Sequence, residues 1–425
     1  MSLPPSIYAA RGPEEPLPLL TRNVTADVVV IGGGLTGLST ALHLAEAGRA
    51  VIVLDAEEPG WGASGRNGGQ VNPGLKNDPD TVLEDFGPEY GPRLVEMAWS
   101  APDAVFDLIA RHGIACDAAR GGTIRAATAK GQLPALRALY AQSRARGWPV
   151  TWLDPDDMTA RTGASSYCGG LVDARGGQLD PLAYTRGLAR AAAAQGARLF
   201  GRSRARAVRR RGGSWRVETE RGSVTAPAVL LATNGYSGRL WNDLRRSIVP
   251  VYSAIVASAP LPDALRARLL AGREVVYDLG RITTYYRVDA DGRLLMGGRS
   301  RSADAAGSTA FPALVAHALK LWPDLALEPE PVRWTHGWNG QIAMTADHYP
   351  HWHAPQPGVY AALGYNGRGV AMATVTGREM ARFLTGEAPP LFPFTPARPI
   401  PFHSAWKAGV AARILCGRLG DGWAR

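Results

Sequence analysis

The stretch from Ala26 to Asp55 constrains this chain more than any other. Ala26-Asp27-Val28-Val29-Val30-Ile31 is short and β-branched, the pattern of a strand buried on both faces. It runs into Gly32-Gly33-Gly34-Leu35-Thr36-Gly37, which contains G-x-G-x-x-G. Leu38, Ala41, Leu42, Leu44 and Ala45 then share one helical face, and Gly48 closes the helix. A second strand, Val51-Ile52-Val53-Leu54, ends at Asp55 and Ala56. Strand, glycines, helix, strand and acid in this order predict a Rossmann-like nucleotide unit. Gly32 permits the tight turn, Gly34 the close approach of a pyrophosphate, and Gly37 the packing of helix on strand. The free N–H groups of the first helical turn favour phosphate, and Asp55 stands where a carboxylate accepts ribose hydroxyls.

A second Gly-rich segment, Trp61-Gly62-Ala63-Ser64-Gly65-Arg66-Asn67-Gly68-Gly69-Gln70, follows the acid. A nicotinamide enzyme would continue with another crossover helix and strand. An irregular loop with glycines and hydrogen-bonding side chains instead suits a long ligand crossing the sheet edge, and FAD is the natural candidate. Far downstream, Gly358 to Leu363 reads as a strand that ends in Gly364-Tyr365-Asn366-Gly367-Arg368-Gly369, with a helix starting near Val370. That helix start can face the pyrimidine end of a flavin, where reduction places negative charge.

On these motifs the chain resembles the D-amino-acid-oxidase-like superfamily of FAD-dependent amine and amino-acid oxidoreductases. The wording from Gly62 to Gln70 is most similar to its γ-glutamylputrescine oxidase branch, and the resemblance covers essentially the whole chain. It implies an α/β fold: a glutathione-reductase-type FAD domain and a discontinuous α+β substrate domain on an antiparallel or mixed sheet. The expected division gives residues 1–85, 176–240 and 335–385 to the FAD domain, 86–175 and 241–334 to the substrate domain, and 386–425 to a C-terminal extension. Thr233 and Asn234, at the end of the apolar run Ala228 to Ala232, are expected near the dinucleotide, or else form an ordinary strand-terminal turn. Ala56, Ala205, Trp338 and Gly340 complete the expected cofactor contacts.

Composition narrows the function classes. At 425 residues, with 46% hydrophobic and 20% charged content, this is an ordinary globular chain of two-domain size. It has no apolar run of eighteen residues, so no membrane span is expected. Three cysteines, Cys116, Cys168 and Cys416, show no C-x-x-C spacing, which points to a reducing cytoplasm and no cysteine-ligated metal. The net charge of +10 comes almost entirely from scattered arginines. The dense run Arg202 to Arg211 reads as a solvated hairpin without interleaved aromatics, which argues against nucleic acid. His351 and His353 have the spacing of a metal pair but no third ligand nearby, and we read them as structural.

Residues 80–165 read as helical around a strand at Gly121–Thr128, with no catalytic constellation. Residues 248–300 read as an antiparallel sheet, with Ile282–Val288 and Arg293–Gly298 joined by Asp289-Ala290-Asp291-Gly292. By the resemblance this sheet roofs the flavin, which makes Tyr252, Tyr285, Arg287 and Trp338 substrate-pocket candidates. Strand alternation puts Arg287 on the face of Tyr285 and Tyr286 on the other.

The resemblance implies oxidation of a small-molecule amine, with hydride passing to flavin N5 and the imine hydrolysing to an aldehyde or ketone. The protein then supplies position and electrostatics, consistent with the absence of a Ser-His-Asp or paired-carboxylate signature. No histidine lies between His43 and His112, so FAD is expected to be non-covalent. Lys76 is the only lysine close to a flavin motif, either for oxygen activation or as a loop-surface residue, so oxygen and an electron carrier both stand as acceptors. Three readings follow: oxidation of a polyamine derivative such as γ-glutamylputrescine, oxidation of an N-methyl or cyclic amino acid, and a non-catalytic flavin-binding subunit. An arginine facing the flavin would favour the second by clamping a carboxylate.

Overall fold

A computed structural model describes residues 3–12, 14–300, 305–327 and 331–423. The nucleotide layer is a six-stranded sheet in the order His351–Gln356, Val359–Leu363, Ala228–Leu231, Val28–Ile31, Val51–Leu54, Arg198–Phe200. All neighbours are parallel except the outermost pair, His351–Gln356 with Val359–Leu363. Val28–Ile31 and Val51–Leu54 are wholly buried, which is why they read as unbroken apolar runs.

Their two faces meet different layers. Val28, Val30, Val51 and Val53 pack with the helices Leu35–Glu46, Pro181–Ala194 and Gly369–Leu384. Val29, Ile31, Ile52 and Leu54 pack against Trp215, Val217 and Val224 of a four-stranded sheet. That small sheet contains the arginine-rich strand Ala207–Arg211, whose Arg209 to Arg211 are exposed beside the turn at Gly212. Residues 198–211 form two strands. Arg198–Phe200 extends the nucleotide sheet, and the chain turns at Arg202, φ +47°, before joining the small sheet.

The second layer is an eight-stranded mixed sheet in the order Trp334–Met344, Val249–Pro260, Arg293–Ser300, Tyr285–Val288, Val275–Asp278, Thr123–Ala127, Gly169–Asp173, Val150–Leu153. The hairpin of Tyr285–Val288 with Arg293–Ser300 turns at Asp289–Gly292 as the sequence suggests.

The expected domain boundaries differ from this architecture in two places. Trp334–Met344, assigned from the sequence largely to the FAD domain, pairs along Val249–Ser258 and belongs to the mixed sheet. The helical stretch Pro79–Arg111, kinked at Gly87 and assigned to the substrate domain from residue 86, buries Leu94, Met97, Ala98 and Val105 in the core of the nucleotide helices. Segment order does not reveal which core a helix face joins; packing does. His112 caps that helix and lies 3.2 Å from Glu46.

Candidate active site

Two helices aim their N-termini at one cavity. The helix Leu35–Glu46 follows the first Gly-rich turn, and Gly369–Leu384 follows the second. They pack face to face at Gly377, where a Cβ would sit 2.5 Å from Ser39 Cβ and 2.7 Å from the Thr36 carbonyl oxygen. Thr36 Oγ1 and Tyr365 Oη, 2.5 Å apart, bridge the two junctions, and Ser39 donates to the Thr374 carbonyl. First-turn N–H groups have no acceptor within their own helix, so both starts present donors and a positive dipole end.

The cavity between them is about 350 Å³. Gly34, Leu35 and Thr36 line it from the first junction, and Tyr365 to Val370 from the second. The loop after Asp55 contributes Ala63, Ser64, Arg66, Asn67, Gly68 and Gln70, and Asn234 and Gly340 close the wall. These are the sequence-proposed cofactor residues that the fold brings to the cavity.

The other proposed cofactor residues stand behind it. Gly32, at φ +114°, turns against the Ala232 carbonyl, and Gly37 fits only as glycine, since a Cβ would be 2.0 Å from the Gly32 oxygen. Gly62 and Gly65 shape the loop, and Gly69 and Gly364 hold positive φ. Asp55 accepts from the N–H groups of Gly33 (2.5 Å) and Glu57 (2.8 Å), while burial pushes its carboxyl above the usual range. The chain around Ala205 runs beside Asp55 and Ala56, with Ser203 N–H on the Asp55 carbonyl. Thr233 bonds Ser237, and Asn234 Oδ1 accepts from Gly364 N–H, tying the two strand ends together.

The polar side chains of the second loop largely hold the loop itself. Ser64 Oγ accepts from Leu35 N–H. Asn67 bridges Ala63, Ser64 and Gly69, and Gln70 reaches the carbonyls of Val276 and Tyr286 on the mixed sheet. Arg66 spans to Tyr236 Oη (2.6 Å) and the Asn339 carbonyl, with its guanidinium 5.0 Å from the Trp61 ring.

Among the substrate-pocket candidates, Tyr285 and Lys76 line the cavity. The Tyr285 ring lies over Gly297, its cross-strand partner, and against Gly68, with its hydroxyl 2.9 Å from Ser253 Oγ. Loss of hydration, reinforced by Arg368, Arg299, Arg125 and Arg413, pushes the Lys76 ammonium down to about 8. Lys76 is solvent-accessible by surface area yet strongly desolvated in its effect on charge. Its side chain lines the cavity, where the surrounding arginines disfavour a further positive charge.

Three candidates do not reach the cavity. Arg287 is buried behind the loop, donating to the Gly68 carbonyl (2.6 Å), Gln178 Oε1 (2.7 Å) and Tyr8 Oη (3.2 Å). It shares the face of Tyr285, but that face extends past the cavity. Trp338 is buried with its indole N–H on the Arg66 carbonyl and its ring edge-on to Tyr8. Tyr252 is half-buried and donates to Gln341. All three brace the site from outside.

Sequence reasoning missed Arg125, Tyr277, Asp278 and Arg299, which line the cavity from the mixed sheet. No local motif marks them, because the strands that carry them are joined only by long-range pairing. His353 is buried, with Nδ1 2.6 Å from the Thr395 carbonyl, and His351 pairs with Asp347. Among the described residues, no cluster of three metal-ligating groups occurs, and no helix is long and apolar enough to cross a membrane.

Two Gly-rich strand–helix junctions opening on one cavity beneath a mixed sheet define a dinucleotide-dependent oxidoreductase of the two-layer flavoprotein class. The cradle suits such a group: Gly34 leaves space a Cβ would fill, 2.8 Å from Ser64 Oγ, and both helix starts offer donors to negative charge. Comparison with known proteins gives the family. Residues 27–383 match the model of the DAO family, FAD dependent oxidoreductase, and the chain belongs to that family. It is 32% identical over 437 residues to γ-glutamylputrescine oxidoreductase of Escherichia coli, covering 98% of each chain. It is 33% identical to the probable oxidoreductase OrdL of Rhizobium meliloti, over 90% of this chain and 89% of that one. Among solved structures, glycine oxidase from Geobacillus kaustophilus is similar in fold, with a TM-score of 0.72 at 23% identity, covering 89% of this chain and 99% of that one. The protein is therefore an FAD-dependent oxidoreductase, as its sequence motifs implied.

Proposed function

We propose that this enzyme oxidises the C–N bond of a polyamine derivative such as γ-glutamylputrescine, with oxygen as the electron acceptor. The observation that carries this reading is the similarity to γ-glutamylputrescine oxidoreductase over 98% of both chains. FAD, held non-covalently between the two junctions, supplies the two-electron acceptor. Leu35, Thr36 and Ser64 would hold its phosphates, and Gly367 to Val370 would face its pyrimidine end. The amine loses two electrons and two protons, and water converts the resulting imine to an aldehyde or ketone with release of an amine or ammonia. Tyr285 and Ser253 bound the reacting space, and Lys76 offers a positive charge to reduced oxygen. The free cysteines suit a reducing cytoplasm.

A second reading, oxidation of an N-methyl or cyclic amino acid, is favoured by the cationic wall of Arg125 and Arg299, which accommodates an α-carboxylate equally well. Anaerobic bleaching of the flavin across diamines, γ-glutamyl amines, N-methyl amino acids and cyclic imino acids separates the two. Rapid recolouring in air with peroxide identifies an oxidase, and slow recolouring points to an electron carrier. Bleaching by none of them would replace both readings with an amine outside the panel or with a non-catalytic flavin-binding subunit. Protein that takes up no FAD would refute the cofactor assignment.

A further inference from the structure

The cavity-lining stretch Arg66-Asn67-Gly68 is held from behind at both of its ends. At one end the buried Trp338 indole N–H donates to the Arg66 carbonyl, 2.9 Å away. At the other the buried Arg287 guanidinium donates from Nε to the Gly68 carbonyl, 2.6 Å away. Its other edges reach Gln178 Oε1 (2.7 Å) and Tyr8 Oη (3.2 Å). All three acceptors are neutral oxygens. Removing one would strand a donor of a buried cation, which costs more than an exposed hydrogen bond is worth.

Both holding residues meet on one side chain. The Tyr8 hydroxyl accepts from Arg287, and the Tyr8 ring stands edge-on to Trp338 with centroids 5.3 Å apart. Tyr8 is 3% exposed, although it lies in the lead-in ahead of the nucleotide motif. It reaches this place because the segment around it docks. Ile7 and Tyr8 pack with Leu182, Ile255 and Leu295, and Ala9–Arg11 forms a 3-10 turn with Ala9 N–H on Ser6 Oγ. Arg11 then fastens the segment to both layers. It pairs with Asp180 at the start of the helix Pro181–Ala194 (3.5 Å) and with Asp291 in the hairpin turn of the mixed sheet (3.1 Å). On its cavity side, Gly68 meets Tyr285, whose Cε2 is 2.7 Å from the Cβ position. Gly68 thus sits between Arg287 and a ring that borders the cavity, so a shift of the guanidinium is passed to the cavity wall.

We propose that Tyr8 is a positioning residue for the flavin: residues 6–11 dock to set Arg66 to Gly68 for FAD, and docking and FAD binding are coupled. Such coupling is reciprocal, so whatever the docked segment adds to FAD affinity, FAD adds to docking. The inference rests on the cofactor of the family and not on which amine is oxidised.

The test uses the FAD-loaded full chain. The FAD dissociation constant, read from the fluorescence of FAD released on dilution, should rise about threefold or more in Y8F and about tenfold or more in Y8A. Y8F keeps the ring on Trp338 and loses the acceptor, whereas Y8A loses both. The visible bands of the bound flavin should shift in the same order. In an R287M background Y8F should add nothing, because the hydroxyl then has no donor to serve. Hydrogen exchange reads the reverse direction. Amides of residues 6–11 should exchange about tenfold more slowly with FAD bound than after its release, with those of Val150–Leu153 unchanged. L136A, which opens a hole in the core beside Val150 and Leu171, is the control for lost stability alone. It should lower the thermal midpoint and leave the FAD dissociation constant and the flavin bands as in wild type.

An FAD dissociation constant and flavin bands unchanged in both Y8F and Y8A, with only the thermal midpoint lowered as in L136A, would make Tyr8 a packing residue and overturn the proposal. Exchange at residues 6–11 that does not respond to FAD would overturn it as well. That comparison is made on wild-type protein, so it decides even if Y8A does not fold.

Discussion

Alanine at Gly297 should push Tyr285 out of its place over the cavity. A Cβ there would lie 2.1 Å from both Cε2 and Cζ of the ring and 2.6 Å from Oη. Ordinary contact begins near 3.4 Å, so the ring must withdraw by more than an ångström. Toward the loop it already occupies the space that glycine leaves at position 68, its Cε2 2.7 Å from where a Cβ would stand. The open direction is into the cavity, at the expense of the 2.9 Å contact with Ser253. Overpacking of this kind costs about 1–3 kcal/mol, and the lost hydrogen bond contributes about 1 kcal/mol of that if the ring swings free. In a Tyr285→Ala background the new methyl has room, and Gly→Ala at a compatible backbone should cost less than about 0.5 kcal/mol. The two changes should therefore couple by about 1–2 kcal/mol. Urea unfolding of the wild type, both single variants and the double variant, each saturated with FAD, measures the coupling. An equal cost of G297A in both backgrounds would refute the placement of the ring.

Other outcomes follow from the same geometry. Lys76, held near 8, is charged below that pH and neutral above it, so reoxidation of the reduced enzyme by air should slow as pH rises through about 8, and K76M should flatten that limb of the profile. Gly37→Ala would set a Cβ 2.0 Å from the Gly32 oxygen and 3.0 Å from Val30 Cγ1. The FAD dissociation constant, read by flavin fluorescence, should rise at least about fivefold if the strain of roughly 1–3 kcal/mol falls on the phosphate turn. Gly131→Ala, with open space around it, should leave that constant unchanged. Arg287→Met would strip donors from the Gly68 carbonyl, Gln178 and Tyr8, and should lower the thermal midpoint and shift the bound-flavin spectrum through the loop at Gly68. Burial pushes His353 down to about 4 from its ordinary 6.5, so the folded protein refuses a proton that the unfolded chain accepts. Stability should fall as pH drops from 6.5 toward 4, by at most about 3 kcal/mol from this group, and His353→Gln should remove that slope in acid denaturation.

The nucleotide half of the site was legible because it is local. Gly32, Gly34, Gly37, Leu35 and Thr36 lie within six consecutive residues, and the backbone conformation they need is written in the absence of side chains. The second junction, Gly364 to Val370, carries the same kind of signal. Strand alternation correctly separated Tyr285 from Tyr286, whose hydroxyl is turned to Tyr167 in the core. The same rule misled for Arg287. It fixes the face but not how far along that face the cavity reaches, and two residues of strand carry a side chain roughly 6–7 Å onward, here past the cavity edge and behind Gly68.

The cationic side of the cavity was invisible in the sequence. Arg125 and Arg299 are two among many scattered arginines, far apart in the chain and without a motif around them. They line one cavity because Thr123–Ala127 pairs with Val275–Asp278, which pairs with Tyr285–Val288, which pairs with Arg293–Ser300. By itself the sequence determined the dinucleotide cradle, since a backbone turn and a helix start are encoded by the residues that form them. Only the tertiary structure decided which side chains face the ligand, because register across a sheet is set by the packing of distant strands and not by any one of them.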